Sequence, residues 1–100
     1  MAPSICDICD CHVFHQYTLR IIDADRDGLL QHLMSKGIPC AIYYPIPLHL
    51  QKAYTDSRYK EEDFPVTNKL VKEVISLPMH TELDDEQIKF ITDSVLEFFK

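Results

Sequence analysis

Residues 43–51 read Tyr-Tyr-Pro-Ile-Pro-Leu-His-Leu-Gln, and the two prolines there constrain the chain more than any other feature. Pro45 and Pro47 each fix φ and each remove a backbone donor. Each also drives the residue before it, Tyr44 or Ile46, towards extended geometry. The run is therefore expected to be a stiff, extended, non-helical loop. It carries Tyr43, Tyr44 and His49, whose polar tips can both donate and accept hydrogen bonds. Binding groups concentrate on loops braced by a scaffold. Tyr44 and His49 are the first candidates for a ligand-facing role, and Tyr43 follows. The competing reading makes Tyr43, Ile46 and Leu48 plugs over a core and leaves His49 an exposed loop residue.

Upstream, His12–Ile22 alternates like a strand. Val13, His15, Tyr17, Leu19 and Ile21 share one face, and the opposite face is more polar. His15 lies among the apolar positions. It is a further candidate site residue, set against a role as a satisfied core histidine. Asp23-Ala24-Asp25 ends the alternation, and Asp25 is a good N-cap. Leu29, Leu30, Leu33 and Met34 then form an apolar stripe at helical period. Gly37 fits a C′ stop, with Lys36 favourably placed at the negative end of the helix dipole. Ile38–Tyr44 is expected to be a second strand running into the proline loop.

Lys52–Asp63 is polar, with Tyr54 and Tyr59 as packing anchors, and reads as loop with one helical turn. Pro65 suits the first turn of a helix whose buried stripe would be Val66, Leu70, Val71 and Val74. Ile75–Met79 reads as a third strand that meets Pro78 at its end. Asp84 and Gln87 form a capping-box pair, with Leu83 and Ile88 placed as a staple. Ile88, Ile91, Val95 and Phe98 would face the core. The expected fold class is α+β. Its small sheet has about three strands in β-α-β-loop-α-β-α order, with helices packed on one face. Residues 1–11 are expected to be a lead-in segment, and residues 12–100 a single domain.

Charge narrows the partners. Sixteen acidic residues against ten Lys and Arg give a net charge of −6. That argues against nucleic acid and against an anionic membrane, both of which need a basic footprint. No apolar run approaches the ~20 residues of a spanning helix. The N-terminus lacks the pattern of a signal peptide, so a soluble, cytoplasmic chain is expected. Cys6, Cys9 and Cys11 form a C-x-x-C-x-C cluster that could hold a soft metal with His12 or His15. Structural zinc sites draw on two separated pairs, and the chain has no second pair. The cluster is therefore read as part of a plain lead-in, with no metal.

Several of these pieces, in this order, resemble the C-terminal domain of the pyridoxal-phosphate-dependent sugar aminotransferases of the DegT/DnrJ/StrS type. They are His-Val-Phe-His-Gln-Tyr at 12–17, Arg26-Asp27, Lys36-Gly37-Ile38, and Tyr44-Pro45-Ile46-Pro47-Leu48-His49 with Tyr54 after it. Phe64-Pro65-Val66 and Ser76-Leu77-Pro78-Met79-His80 complete the set. Many members carry His before the loop tyrosine, where this chain has Tyr43, which bears on the identity of the substrate. The resemblance implies the C-terminal part of a type I aminotransferase-like fold. It implies a large N-terminal domain, not in this chain, that binds pyridoxal phosphate through a Schiff-base lysine. It implies a nucleotide-linked keto-sugar as substrate and a homodimer as the working form. In such an enzyme Tyr44, His49, Tyr43 and His15 would face the substrate. None of Lys36, Lys52, Lys60, Lys69, Lys72, Lys89 and Lys100 matches the Schiff-base position. With two glycines the chain offers no phosphate cradle. The chain alone is expected to bind no cofactor and to be inactive. It should expose an apolar patch at residues 45–50 or on its free sheet face. The rival reading is a free-standing module binding a small ligand or a protein through the same loop.

Overall fold

The computed structural model describes residues 1–4, 13 and 15–100. Cys6, Cys9, Cys11, His12 and Phe14, with the expectations placed on them, lie outside the described residues. Among those described, β1 (Tyr17–Arg20) is followed by α1 (Arg26–Ser35), α2 (Pro65–Glu73), β2 (Val74–Leu77) and α3 (Asp85–Phe98). Single 3₁₀ turns lie at Leu48–Leu50, Lys52–Tyr54 and Glu61–Asp63.

The helix ends follow the local chemistry of the sequence. The Asp25 carboxylate accepts the Gly28 N–H at 2.8 Å and so satisfies one of the free donors of the first turn. A side chain at Gly28 would begin 2.3 Å from the other Asp25 oxygen, so the carboxylate would have to turn to admit one. At the other end Gly37 takes φ 75°. The Ile38 N–H then reaches the Leu33 carbonyl and the Gly37 N–H the Met34 carbonyl, both at 3.0 Å. That is the paired closure of a Schellman motif, and the positive φ is what glycine permits. Asp84 and Gln87 close a reciprocal capping box on α3.

The sheet is smaller than the sequence suggests. β1 and β2 pair antiparallel, with Tyr17 opposite Leu77 and Arg20 opposite Val74. The strand expected at 38–44 is reduced to one residue. Ala41 exchanges both backbone hydrogen bonds with Ser76, on the edge of β2 away from β1. Pro39 lacks a donor, so the segment enters the ladder only at Ala41. The sheet therefore has two strands and a bridge in place of three strands. Thr18 and Ser76 hydroxyls pair across it at 2.9 Å.

α2 runs into β2 without a connecting residue. Val74, expected on the helix stripe, is the first strand residue, and Val66 is exposed. Arg26 serves the freed carbonyls: its Nη1 donates to Val71 O at 2.9 Å and to Val74 O at 3.2 Å. Arg20 holds Glu73 Oε2 through Nε at 2.9 Å and Nη2 at 2.7 Å. The Ile21 N–H donates to the Glu73 carbonyl at 2.8 Å.

Ile21, Leu29, Leu33, Ile38, Ile75 and Ile91 form the core. α1 packs on β2 and on α3. Between the two helices the His32 Nε2 lies 3.1 Å from the Ser94 carbonyl, so that nitrogen carries the donated proton. Lys36 pairs with Glu97 one turn further along. The expected stripes were too wide: Leu29 and Leu33 are 0% exposed, but Met34 is 56% and Ile88 45% exposed. Leu33→Ala should therefore cost about 2–5 kcal/mol in urea unfolding. Met34→Ala should stay within about 0.5 kcal/mol of the parent. Equal losses would mean that α1 presents a different face.

The Lys36 ammonium, through its hydrogen bond and its charge, holds the Glu97 carboxyl below its ordinary pKa. A depressed folded-state pKa gives stability that is present above the ordinary carboxylate range and is lost as pH falls through the lowered value. Lys36→Met should thus flatten the fall in stability below about pH 5. A parallel fall in parent and variant would remove the pair from the acid response.

Candidate substrate-facing cleft

Pro47 is buried, with φ −57° and ψ 145°. Its carbonyl accepts from the Leu50 N–H at 3.0 Å, and the Leu48 carbonyl from the Gln51 N–H at 3.2 Å. The loop expected to be extended throughout therefore closes into a 3₁₀ turn at Leu48–Leu50. The prolines restrict themselves and the residues before them, and nothing restricts residues 48–51 in that way. The Gln51 side chain also donates back to the Ile46 carbonyl at 3.3 Å, bracing the turn against the proline segment.

The proline segment forms one wall of a cleft of about 560 Å³. Tyr43, Tyr44, Ile46 and Leu48 stand on that wall, and Thr67, Leu70 and Val71 of α2 face them, with Val74 beyond. The two tyrosine rings meet edge-on at 5.6 Å, and the peptide between them is cis. Tyr44 is 70% exposed, and Tyr43, Ile46, Leu48 and Leu50 are exposed with it. The apolar patch expected at residues 45–50 is present. A cleft with apolar walls and two phenolic hydroxyls can hold the face of a ring and hydrogen-bond its edge.

The other sequence candidates stand elsewhere. His49 does not line this cleft. Its ring lies 4.6 Å from that of Phe64, which also approaches Tyr59 at 5.9 Å. The His49 Nε2 is buried without a hydrogen-bond partner. His15 is exposed and borders a separate hollow of about 310 Å³ with Cys40, Met79 and Tyr43. Tyr43 is common to both spaces. The structure thus brings Tyr43 and Tyr44 together and leaves His49 and His15 outside the cleft they line. Sequence reasoning missed the α2 wall. Periodicity puts Leu70 and Val71 on a core stripe, and the signal to the contrary is the polar Thr67 one turn before them.

All seven lysines lie among the described residues, and none fits a Schiff-base position. Lys36, Lys69 and Lys89 are held by Glu97, Glu73 and Asp93. Lys52, Lys60, Lys72 and Lys100 are exposed. A reactive lysine needs a desolvated or electropositive pocket. The Gly28 N–H, at the start of α1, is taken by Asp25 and is not free for a phosphate. Among the described residues no helix is long and apolar enough to cross a membrane, and no group of three or more His, Cys, Asp and Glu could hold a metal ion.

The profile of the DegT/DnrJ/EryC1/StrS aminotransferase family matches residues 3–96, so the chain belongs to that family. It is 44% identical over 89 residues to a "pleiotropic regulatory protein" of Geobacillus stearothermophilus, a match covering 89% of this chain and 23% of that protein. It is 44% identical over 77 residues to the UDP-N-acetyl-3-dehydro-alpha-D-glucosamine 3-aminotransferase of Acidithiobacillus ferrooxidans, covering 77% and 20%. Among solved structures it superposes on a Brucella abortus aminotransferase of the same family with a TM-score of 0.74 and 37% identity, covering 83% and 22%. On S. venezuelae DesV, solved with a ketimine intermediate, the TM-score is 0.76 and the identity 33%, covering 84% and 22%. The chain spans roughly a fifth of the length of these relatives.

Burial pushes the Cys40 thiol, beside Tyr43, above its ordinary pKa. Less thiolate is then present at any given pH, and thiolate is the nucleophile. Cys40 should alkylate with iodoacetamide more slowly than a free thiol at pH 8, and the lag should shrink as pH rises. Peptide mass mapping checks this, and alkylation at the free-thiol rate would count against a desolvated Cys40.

Proposed function

We propose that this chain is the C-terminal part of a pyridoxal-phosphate-dependent aminotransferase that acts on nucleotide-linked keto-sugars. Its role there is to close over the substrate cleft and line it, within a type I aminotransferase-like fold. The observation that carries the reading is the exposed Tyr43–Tyr44 cleft in a chain that matches the family over residues 3–96. Two relatives support the substrate class by name. One is the A. ferrooxidans enzyme above, and another is a UDP-2-acetamido-2-deoxy-3-oxo-D-glucuronate aminotransferase of Pseudomonas aeruginosa, 42% identical over 79 residues.

Pyridoxal phosphate, when bound, serves as the electron sink that lets an amino group move between carbons. The lysines and glycines of this chain do not fit it, so it belongs on a preceding N-terminal domain, and this chain alone binds none. The working enzyme is a cytoplasmic homodimer. This chain supplies positioning. Tyr44 and Tyr43 offer phenolic hydroxyls to sugar or phosphate oxygens, beside apolar walls that a ring face can meet. Pro45 and Pro47 hold both rings at a small entropic cost on binding. His15 extends the lining past Tyr43. His49 stands behind the Leu48 turn.

In the full-length aminotransferase, Tyr44→Ala should raise KM for the keto-sugar about tenfold, equivalent to one lost contact of ~1.4 kcal/mol. The cofactor absorbance should not change. His49→Ala should raise KM by a similar factor through misplaced substrate. Unchanged kcat/KM in both would remove the cleft from the substrate path. With the 100-residue chain alone, pyridoxal phosphate and borohydride should label no single lysine stoichiometrically. One stoichiometric adduct would instead favour a free-standing binding module.

A further inference from the structure

Ser35, Thr67, Thr92 and Ser94 are the hydroxyl residues on the three helices. A helix offers such a hydroxyl a carbonyl in its own preceding turn. Ser35 donates to the His32 carbonyl at 2.7 Å, Thr92 to the Lys89 carbonyl at 3.0 Å and Ser94 to the Phe90 carbonyl at 2.7 Å. Thr67 makes no such bond among the described residues. The Phe64 carbonyl, three residues before it, accepts from the Asn68 N–H at 3.0 Å instead. Thr67 is also exposed. Its hydroxyl is therefore not spent on its own helix.

The place of this hydroxyl sets what it can meet. Thr67 shares a helix face with Leu70 and Val71, by its spacing, and all three line the cleft along with Tyr43 and Tyr44. Leu70 and Val71 offer only hydrocarbon. None of the residues lining the cleft is charged. Arg26 and Lys72 line a separate hollow, which has Ile46, Pro47 and Val71 in common with the cleft. Phosphates and carboxylates are held best by cationic donors, and the cleft has none. A sugar hydroxyl is neutral and both donates and accepts, which matches a threonine hydroxyl.

We infer that Thr67 is a specificity-determining residue: its hydroxyl pairs with one ring hydroxyl of the sugar, while Leu70 and Val71 meet the ring face. This rests on the reading of the cleft as substrate-facing. A site that hydrogen-bonds a substrate hydroxyl discriminates against the analogue lacking it, because its own polar group is then left unpaired. Thr67 is exposed, so water replaces part of the lost bond. The discrimination is then about tenfold, the scale of one ordinary hydrogen bond.

The test is steady-state kinetics of the full-length aminotransferase. The probes are UDP-N-acetyl-3-dehydro-alpha-D-glucosamine, the sugar named for the A. ferrooxidans enzyme, and its 4-deoxy and 6-deoxy forms. For the parent enzyme, kcat/KM should fall about tenfold on loss of one of these hydroxyls and far less on loss of the other. Thr67→Val keeps the branched shape and removes the hydroxyl, and it should bring that ratio close to one. Thr67→Ser keeps the hydroxyl and should retain the ratio. Each ratio compares two sugars on one enzyme sample, so a smaller folded fraction cancels. A parent indifferent to both hydroxyls, or a ratio that survives in Thr67→Val, overturns the inference. A lower kcat/KM in Tyr44→Ala beside an unmoved Thr67→Val ratio sinks this inference and leaves the cleft reading standing. No effect of either substitution sinks both. Turnover of none of the probes removes the substrate class and this inference together.

Discussion

The Arg26 guanidinium is the contact on which the arrangement of elements depends. A helix that turns into a strand without a loop leaves its last carbonyls with neither a helical nor a sheet partner. Here Arg26, the first residue of α1, donates to Val71 and Val74 across that change of structure. The cation also lies at the negative end of the α2 dipole. One side chain thus ties the start of α1 to the end of α2 and the beginning of β2. β1 reaches the same point from its other side, through Arg20 and Glu73. With those contacts made, Ile75 faces Leu29 and Leu33 in the core, and the outer surface of α2 is free to form a cleft wall.

Much of this was legible in the sequence where the determinant was local. Asp25, Gly37, Pro65, Asp84 and Gln87 each set an element end by chemistry confined to one turn, and each does so in the structure. The strand expected at 38–44 is cut to the Ala41 bridge, with Pro39 lacking a donor on one side of it and the turn towards Pro45 on the other. Met34, Val66 and Ile88 fall on apolar stripes yet are exposed, because periodicity counts apolar positions and not the surface available to cover them. A two-stranded sheet covers few. The family was legible because its signature is a set of short local motifs.

The site was legible in part for the same reason. Tyr43 and Tyr44 announce themselves beside Pro45. Their opposing wall comes from Thr67, Leu70 and Val71, more than twenty positions away, and no local pattern pairs them. His49 sits on the same loop, yet a 3₁₀ turn beyond Pro47 swings it towards Phe64. Proline restricts the residue before it and leaves the residue after it free, so the loop is stiff up to Pro47 and adaptable beyond.

The absence of any linking residue between Glu73 and Val74 limits how this segment can change over evolutionary time. A single inserted residue at that junction would shift β2 by one position and turn every side chain of the strand to the opposite face. Ile75 would leave the core, and the Thr18–Ser76 hydroxyl pair would be lost. The surface stretch from Thr55 to Lys60 contains no helix or strand, and length changes there leave the sheet register untouched. Length variants that keep the fold should therefore place their insertions in that stretch and keep the helix-to-strand junction at constant length.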